Sequence, residues 1–474
     1  MFDVKFVVLY TDVVLWFLVV LIGLYARHVY KTPELSQKWA RVFSRKTATA
    51  CAAVLSVFFV MALTDSVHFR QKLPVQSAEQ SAAQQQAWDT ETVSLLDMLV
   101  KEKIAGRERS YSAPFALREF DKTTVLENGK PERVFARLTG ASPELKEETK
   151  TMYLMRRVEI GAITGFLGLV VFWFALALVC KVVKRLSFKD ALVKVTASTN
   201  PMRPAIMVWQ FTIFLACVLI FVWPHFHVLG TDTTGNDVLY NAMKSVRTAV
   251  VIGSLATLTT LPFAVTLGIA AGYFKGWVDD IIGYIYTTIS SIPSVLLIAA
   301  SVLMIQVFID KNPATFATGL ERADIRLFLL AAIIGMTGWA GLARLLRAET
   351  MKVCAMDFVN AAKAFGVSPA RIMARHVLPN VIHIVLIVTV LDFSGIVLYE
   401  AVLSYVGVGV DPTMQSFGSM INAAAVEMSR SPAVWWNLTA CFIFMVSLVL
   451  CANLFASGVR DAFDPRSAKG KSHA

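Results

Sequence analysis

The stretch VEIGAITGFLGLVVFWFALALVC, residues 158–180, decides the class of fold to which this chain belongs. Glu159 is its only charged residue, and the stretch is long enough to cross the hydrocarbon core of a bilayer as a helix. Similar apolar runs recur along the chain, and together they predict an all-α polytopic membrane protein. The predicted spans are roughly 6–26, 47–64, 158–180, 205–223, 249–272, 281–309, 326–343, 381–408 and 434–458.

The overall composition agrees with a membrane protein and argues against a soluble or nucleic-acid-binding one. Of the 474 residues, 56% are hydrophobic and 17% are charged, whereas soluble domains contain about 25% charged residues. The formal net charge is +11, but the basic residues concentrate in short loops between the apolar runs. This placement is typical of residues that orient a membrane protein, so no nucleic acid partner is predicted.

The basic loops also predict the orientation of the chain. With the spans above, loops 27–46, 181–204 and 344–380 and the tail after residue 460 all fall on one side of the membrane. Loops rich in Lys and Arg face the cytoplasm. The N-terminus is therefore predicted to lie outside and the C-terminus in the cytoplasm.

Residues 65–156 are the long polar block of the sequence, and they are predicted to lie outside the membrane as a small domain. A helical pattern runs from Thr92 to Ile104, and Asn128-Gly129 is a turn signal between two strand-like pieces. Acidic and basic residues nearly balance in this block, so its charge indicates no ligand. The predicted domains are 1–64 with two spans, 65–156 as the extracytoplasmic domain, 157–204 with the third span and a basic linker, 205–466 with six spans, and 467–474 as a cytoplasmic tail.

Small residues and prolines inside the spans predict how some of the helices pack. Gly268 and Gly272 form a GxxxG pair, which allows a neighbouring helix to approach closely. Pro262 and Pro293 lie within apolar runs and are predicted to kink their helices.

The loop DFVNAAKAFGVSPARIMARHVLPN, residues 357–380, has the pattern of two short helices. Asp357 is predicted to cap the first helix, and Gly366 to end it in the left-handed conformation. Pro369 occupies the first position of the second helix, which Pro379 is predicted to close before the next span.

The same loop presents small apolar residues next to basic ones. Such a surface fits docking into a groove of another protein, or an amphipathic helix lying on lipid. The spacing alone favours neither. The residues of this surface are Ala361, Ala362, Lys363, Ala364, Phe365, Arg371 and Arg375.

The loop resembles the EAA loop of ABC-importer permeases, the coupling helix that fits into the nucleotide-binding subunit. Ala361-Ala362, Gly366 and Leu378-Pro379 match that pattern, whereas Asn360 stands where the family usually has glutamate. Further stretches resemble the second permease subunit of the dipeptide/oligopeptide/nickel family, in the expected order over about residues 205–466. These stretches are 227–237, 271–279, 338–349, 400–412 and 460–466.

The resemblance implies a six-span permease bundle that moves peptide-like solutes across the bacterial cytoplasmic membrane, surrounded by membrane lipid. It implies ATP-binding subunits, a second permease subunit and an extracytoplasmic solute-binding protein as partners. This chain has no GxxxxGK[ST] phosphate loop, so ATP and Mg are expected on the partner ATPase and no cofactor on this chain. We therefore expect a transport subunit and not an enzyme. The solute stays open between peptides, nickel complexes, peptide antibiotics and modified sugars.

The candidate site residues fall into three groups, and no metal site is predicted among them. The ATPase-coupling group consists of Asp357, Asn360, Ala361, Ala362, Gly366, Arg371 and Pro379. The resemblance makes residues 227–237 a gate or receptor-facing loop, whose candidates are Gly230, Asp232, Gly235 and Asp237. Asp392 and Glu400 lie eight residues apart on one helix face, and each is a candidate for the solute path or for a contact between helices.

Other classes of function fit the sequence less well than the importer does. A membrane sensor would use domain 65–156 to bind a ligand, but the tail after Arg460 is too short for a signalling domain. A membrane enzyme would need a second polar group converging on Asp392 or Glu400, and the sequence offers none. A channel independent of ATP would not explain the two-helix loop at 357–380.

Overall fold

Helices dominate the part of the chain that the structure, a computed structural model, describes. The described residues are 4–72, 88, 92–100, 107–127, 130–140, 145–184, 197, 200–312 and 318–463. The chain divides into two compact units, each assembled from segments that are distant in sequence. The first consists of Met1–Val7, Phe43–Thr248 and Gln415–Cys451, and the second of Val8–Val42, Ala249–Met414 and Ala452–Ala474. The domain boundaries drawn from the sequence stay a prediction.

The all-α membrane fold predicted from the sequence is confirmed. Within the described residues, nine helices are long and apolar enough to cross a membrane, and they follow the order of the predicted spans. They are Tyr10–Lys31, Lys46–Thr64, Glu147–Val179, Arg203–Val222, Val238–Phe274, Ser294–Lys311, Gly319–Cys354, Pro369–Tyr405 and Trp436–Phe463.

The two prolines within predicted spans have different effects: Pro293 breaks its span into two helices, and Pro262 does not break its helix. The predicted span 281–309 consists of two helices, Gly276–Ser291 and Ser294–Lys311. Pro293 separates them because it lacks an N–H and keeps the preceding residue extended, with ψ 130° at Ile292. Pro262, by contrast, lies inside the continuous helix Val238–Phe274.

Close helix packing shapes the first unit. Helix Lys150–Lys184 lies along Arg203–Val222, against which Lys46–Thr64 also packs. A Cβ atom added to Gly161 would lie 2.8 Å from the Cα of Val218, so these two backbones approach too closely for a larger residue. The glycine therefore permits this contact.

The described part of the polar segment, residues 65–156, contains short strands, the short helix Leu95–Leu99, the 3₁₀ turn Glu147–Thr149 and the start of helix Lys150–Lys184. Strand His68–Gln71 pairs antiparallel with Val4–Val7 and Val93–Ser94, and Thr123–Glu127 pairs with Lys130–Val134. The predicted turn at Asn128-Gly129 lies outside the described residues. Helix Leu95–Leu99 is shorter than the predicted 92–104, of which residues 101–104 are also not described. An apolar core joins three residues of the polar segment to two residues beyond it. The three are Leu117, Leu138 and Leu145, and the two are Val222 and Phe226.

In the second unit, helix Tyr10–Lys31 packs against Gly319–Gly338, where Thr11 donates a hydrogen bond to the buried carboxylate of Asp324. The GxxxG pair makes the predicted close helix contact. A Cβ atom on Gly272 would lie 2.6 Å from the carbonyl oxygen of Arg347. That residue belongs to helix Ala340–Cys354, which leads into the loop at 357–380.

Candidate functional site

Residues 357–380, named the coupling loop below, form an elbow of two helices in the second unit. The first helix is Asp357–Ala364, and Gly366 follows with a left-handed φ of 72°. The amide of Val367 donates to the carbonyl of Ala362 at 3.1 Å, which satisfies a carbonyl at the helix end. Gly366 thus adopts the conformation that the sequence predicts.

The coupling loop has one buried face and one exposed face. Four apolar side chains enter a core shared with helix Ala340–Cys354: Val359, Ala362, Ile372 and Val377. On the other face, Phe365 is 87% exposed at the tip of the elbow. Of the predicted coupling residues, Ala362 is buried, and the exposed ones are Asp357, Asn360, Ala361, Gly366, Arg371 and Pro379.

Two local predictions for this loop are wrong. Met356 occupies the cap position, so Asp357 lies in the first turn, where a carboxylate interacts favourably with the helix dipole. Pro379 does not close the second helix, which runs on from Pro369 through a π turn to Tyr405. Residues Met373–Val377 form a π turn, in which each hydrogen bond spans one residue more than in an α-helix. Because this turn directly precedes Leu378 and Pro379, the helix continues although Pro379 has no N–H to donate.

Two of the sequence motifs meet beside the coupling loop. Arg347, from stretch 338–349, donates two hydrogen bonds to the carboxylate of Asp279, from stretch 271–279. These hydrogen bonds hold the pKa of Asp279 below its usual range. The ammonium of Lys363 lies 5.1 Å from the centre of the Tyr273 ring, a cation–π contact. Both motifs are visible in the sequence, whereas their pairing is not.

A strained residue lies at the turn between these elements. Lys275 has φ 55° and ψ −169°, a conformation that glycine adopts readily and other residues rarely do. We expect Lys275→Gly to raise the free energy of unfolding by about 1 kcal/mol, because glycine relieves this strain. The measurement is thermal unfolding of the detergent-solubilised protein, in which the variant should melt at a higher temperature.

The neighbouring glycine supplies a matched control for this prediction. Gly276 has φ 54°, and a Cβ atom added to it would meet nothing within 4 Å. Gly276→Ala should therefore lower the melting temperature through backbone strain alone. A Lys275→Gly variant that melts at or below the wild-type temperature would contradict the strain argument.

Residues 227–237, named the outer loop below, are organised by the predicted site residues. Gly230 and Gly235 have left-handed φ values of 69° and 77°. Asp232 accepts hydrogen bonds from the amides of Thr234 and Asn236, which hold the turn. The two glycines and Asp232 therefore shape the turn, and Asp237 contacts Trp223 and His227.

The Asp237 carboxylate lies 2.7 Å from Nδ1 of His227 and accepts a hydrogen bond from the Trp223 indole at 3.1 Å. Both His227 and Asp237 are buried. Among the described residues, no group of three or more His, Cys, Asp or Glu side chains could hold a metal ion.

The polar segment of the same chain covers the outer loop. The amide of Phe115 donates to the His227 carbonyl at 2.9 Å, and the amide of Thr231 donates to the Ser112 carbonyl at 3.1 Å. The Glu108 amide donates to the Gly235 carbonyl at 3.1 Å. Sequence reasoning missed this cover, because no local pattern links residues 107–120 to a loop so far along the chain.

A charged cluster fastens the polar segment to helix Val238–Phe274. Nζ of Lys244 lies 2.8 Å from the carboxylate of Asp97 and 3.5 Å from that of Asp65. The Tyr240 hydroxyl donates to Asp97 at 2.7 Å. Burial raises the pKa of Asp97, but the charge of Lys244 and the hydrogen bonds outweigh it, so this pKa lies below its usual value.

A cavity of about 520 Å³ lies within the second unit, and one of the two predicted solute-path residues lines it while the other does not. Asp392 lines the cavity, together with apolar side chains and several hydroxyl groups. Glu400 is not among the lining residues: it is fully buried and accepts a hydrogen bond from Ser404 at 2.6 Å. The polar lining residues are Thr257, Thr260, Ser294, Thr337, Thr389, Asp392 and Tyr399.

The C-terminal half of the chain, which includes parts of both units, is similar to known proteins. Residues 264–469 match the family described as binding-protein-dependent transport system inner membrane component. The chain is 32% identical to the oligopeptide transport system permease protein OppC of Mycobacterium tuberculosis, over 51% of this chain and 76% of that protein. It is 29% identical to OppC of Haemophilus influenzae, over 51% and 71%. It is also 30% identical to the dipeptide transport system permease protein DppC of Lactococcus lactis, over 51% and 65%.

Proposed function

Because the chain belongs to the family of ABC-importer permeases, the inner membrane components of binding-protein-dependent transport systems, we propose that it imports peptide-like solutes across the bacterial cytoplasmic membrane. It is a transport subunit and not an enzyme. In this proposal ATP and Mg are bound by partner ATP-binding subunits, and a second permease subunit completes the pathway. The names of its relatives, oligopeptide and dipeptide permeases, support peptides as the class of solute.

The geometry of the coupling loop supports the proposed link to an ATPase. Its inner face is packed into a core, while Phe365 projects from the elbow without covering any of that core. A rigidly seated loop with an exposed aromatic tip can dock into a groove and transmit a displacement to the helices behind it. The Arg347–Asp279 pair and the Lys363–Tyr273 contact join the loop's surroundings to the end of a membrane helix. ATPase closure would thereby bias a two-state bundle.

The proposal places a solute-binding protein on the side of the outer loop. The basic loops support this orientation, with the N-terminus outside and the C-terminus in the cytoplasm. Because residues 107–120 cover the outer loop, we propose that the polar segment contributes the surface that a binding protein or the second permease contacts there.

Phe365→Asp tests the ATPase coupling. The substitution places a charge on the exposed tip and removes the aromatic anchor without disturbing the buried face. We expect the ATPase subunit to bind about thirtyfold more weakly, as for an interface hot spot of about 2 kcal/mol. The measurement is co-purification of the ATP-binding subunit after mild detergent extraction, quantified by titration.

Val426→Asp is the matched control for that experiment. Val426 is 70% exposed but belongs to helix Phe417–Glu427, far from the coupling loop in sequence. This variant should retain the ATPase subunit at the wild-type level. If no ATP-binding subunit accompanies the folded wild-type protein, the importer proposal fails. If Phe365→Asp binds it as tightly as wild type, the assignment of the coupling surface fails.

A further inference from the structure

The carboxylate of Asp392 lies in the wall of the cavity. Among the described residues that line the cavity, Asp392 is the only charged one. Within the described part of the chain it makes no hydrogen bond and no ion pair, unlike Glu400 with its Ser404 contact. A carboxylate at membrane depth is costly unless a counter-charge, a proton or water stabilises it, and such residues usually mark a transport path.

The hydroxyl groups around Asp392 present mainly oxygen lone pairs. Thr257 and Thr260 donate their hydroxyl protons to the carbonyls of Gly253 and Gly335. Thr337 likewise donates to a carbonyl of its own helix, that of Ile333. Their oxygens therefore remain available as acceptors toward the cavity.

Two further hydroxyls belong to residues that line the cavity but do not open into it. Those of Thr389 and Tyr399 are buried and form no hydrogen bond with any described residue. The described lining of the cavity thus offers one negative charge, the oxygens of Thr257, Thr260 and Thr337 as acceptors, and no positive group. A protonated amine carries three donors, no acceptor and a positive charge, so it is the complementary ligand. The volume of about 520 Å³ lies within the range of small-molecule sites.

We propose that this cavity binds the protonated amine of the transported solute, with Asp392 as its counter-ion. The inference rests on the proposed function and adds the chemical class of the group recognised in the membrane. For a peptide, that group is the free amino terminus. A solute without a free amine gains nothing from Asp392.

The test compares Asp392→Asn with wild type in liposomes that contain the whole transporter, with ATPase subunits and binding protein. The probes are trialanine and N-acetyl-trialanine, each loaded to saturation on the binding protein. Uptake of each probe by the variant is divided by its uptake by wild type, so that the preference of the binding protein cancels. We expect the variant to lose about tenfold or more for trialanine and to remain unchanged for the acetylated probe.

Asp392→Glu keeps the charge and should restore the preference for the free amine. Assembly of every variant is checked by the amount of co-purified ATPase. Equal losses for both probes would show that Asp392 supports the structure or pairs with a basic residue of the second permease, and no loss for either would show that it has no role. Either result overturns this inference alone. If wild type shows no ATP-driven uptake of either probe, the proposed peptide import is overturned, and this inference with it.

Discussion

Lys244→Ala should lower the free energy of local opening of helix Leu95–Leu99, in the polar segment, by about 3 kcal/mol. The substitution leaves the carboxylates of Asp97 and Asp65 buried without their cation, and removing one partner of a buried ion pair is strongly destabilising. Hydrogen–deuterium exchange of the purified protein should report it. Amides in residues 95–99 should exchange about a hundredfold faster than in wild type.

An exposed ion pair supplies the control. Lys352 lies 2.9 Å from Glu349, but its side chain is 67% exposed. Lys352→Ala should change the free energy of local opening, as hydrogen–deuterium exchange reports it, by at most about 0.5 kcal/mol, since exposed ion pairs contribute little. Wild-type protection in the Lys244→Ala variant would mean that the charged cluster does not hold the segment.

The same cluster predicts a pH dependence. Burial raises the pKa of Asp97, whereas Lys244 and the hydrogen bonds lower it more, so the pKa of the folded protein lies below that of the unfolded chain. The stabilisation from Asp97 is therefore fully present above about pH 4 and is lost as pH falls through the folded pKa. The difference in exchange between wild type and Lys244→Ala should accordingly narrow at acidic pH.

Gly235→Ala should detach residues 107–120 from the outer loop, at a cost of about 3 kcal/mol. A Cβ atom there would lie 1.9 Å from the carbonyl oxygen of Glu108, so the backbone of the polar segment must move. The φ of 77° adds about 1–2 kcal/mol of strain for any residue with a side chain. Hydrogen–deuterium exchange in residues 107–120 should rise about a hundredfold.

Gly366→Ala separates the two causes. Gly366 has a similar φ of 72°, but a Cβ atom there would meet nothing within 4 Å. Alanine at this position should therefore show only the backbone strain, about 1–2 kcal/mol, confined to the coupling loop. If Gly235→Ala and Gly366→Ala lower the free energy of local opening equally, the contact with Glu108 contributes nothing.

The sequence determined the features that depend on neighbouring residues. Each apolar run predicts a helix because a chain in lipid must satisfy its backbone polar groups within one segment. The conformation of Gly366 follows from glycine after a short helix, which is equally local. The errors at Asp357 and Pro379 concern positions where two local signals compete, a helix cap against a first-turn charge and a proline against a π turn.

Only the tertiary structure decided which distant segments meet. Lys244 and Asp97 are 147 positions apart, and neither has a sequence pattern that names the other. The cover over Gly235 and the pairing of Arg347 with Asp279 arise in the same way. Hydropathy and capping act within a span or a turn, whereas these contacts exist only after whole helices have packed. The cavity around Asp392 is likewise shaped by several helices at once, so its lining and its carboxylate become visible only in the folded chain.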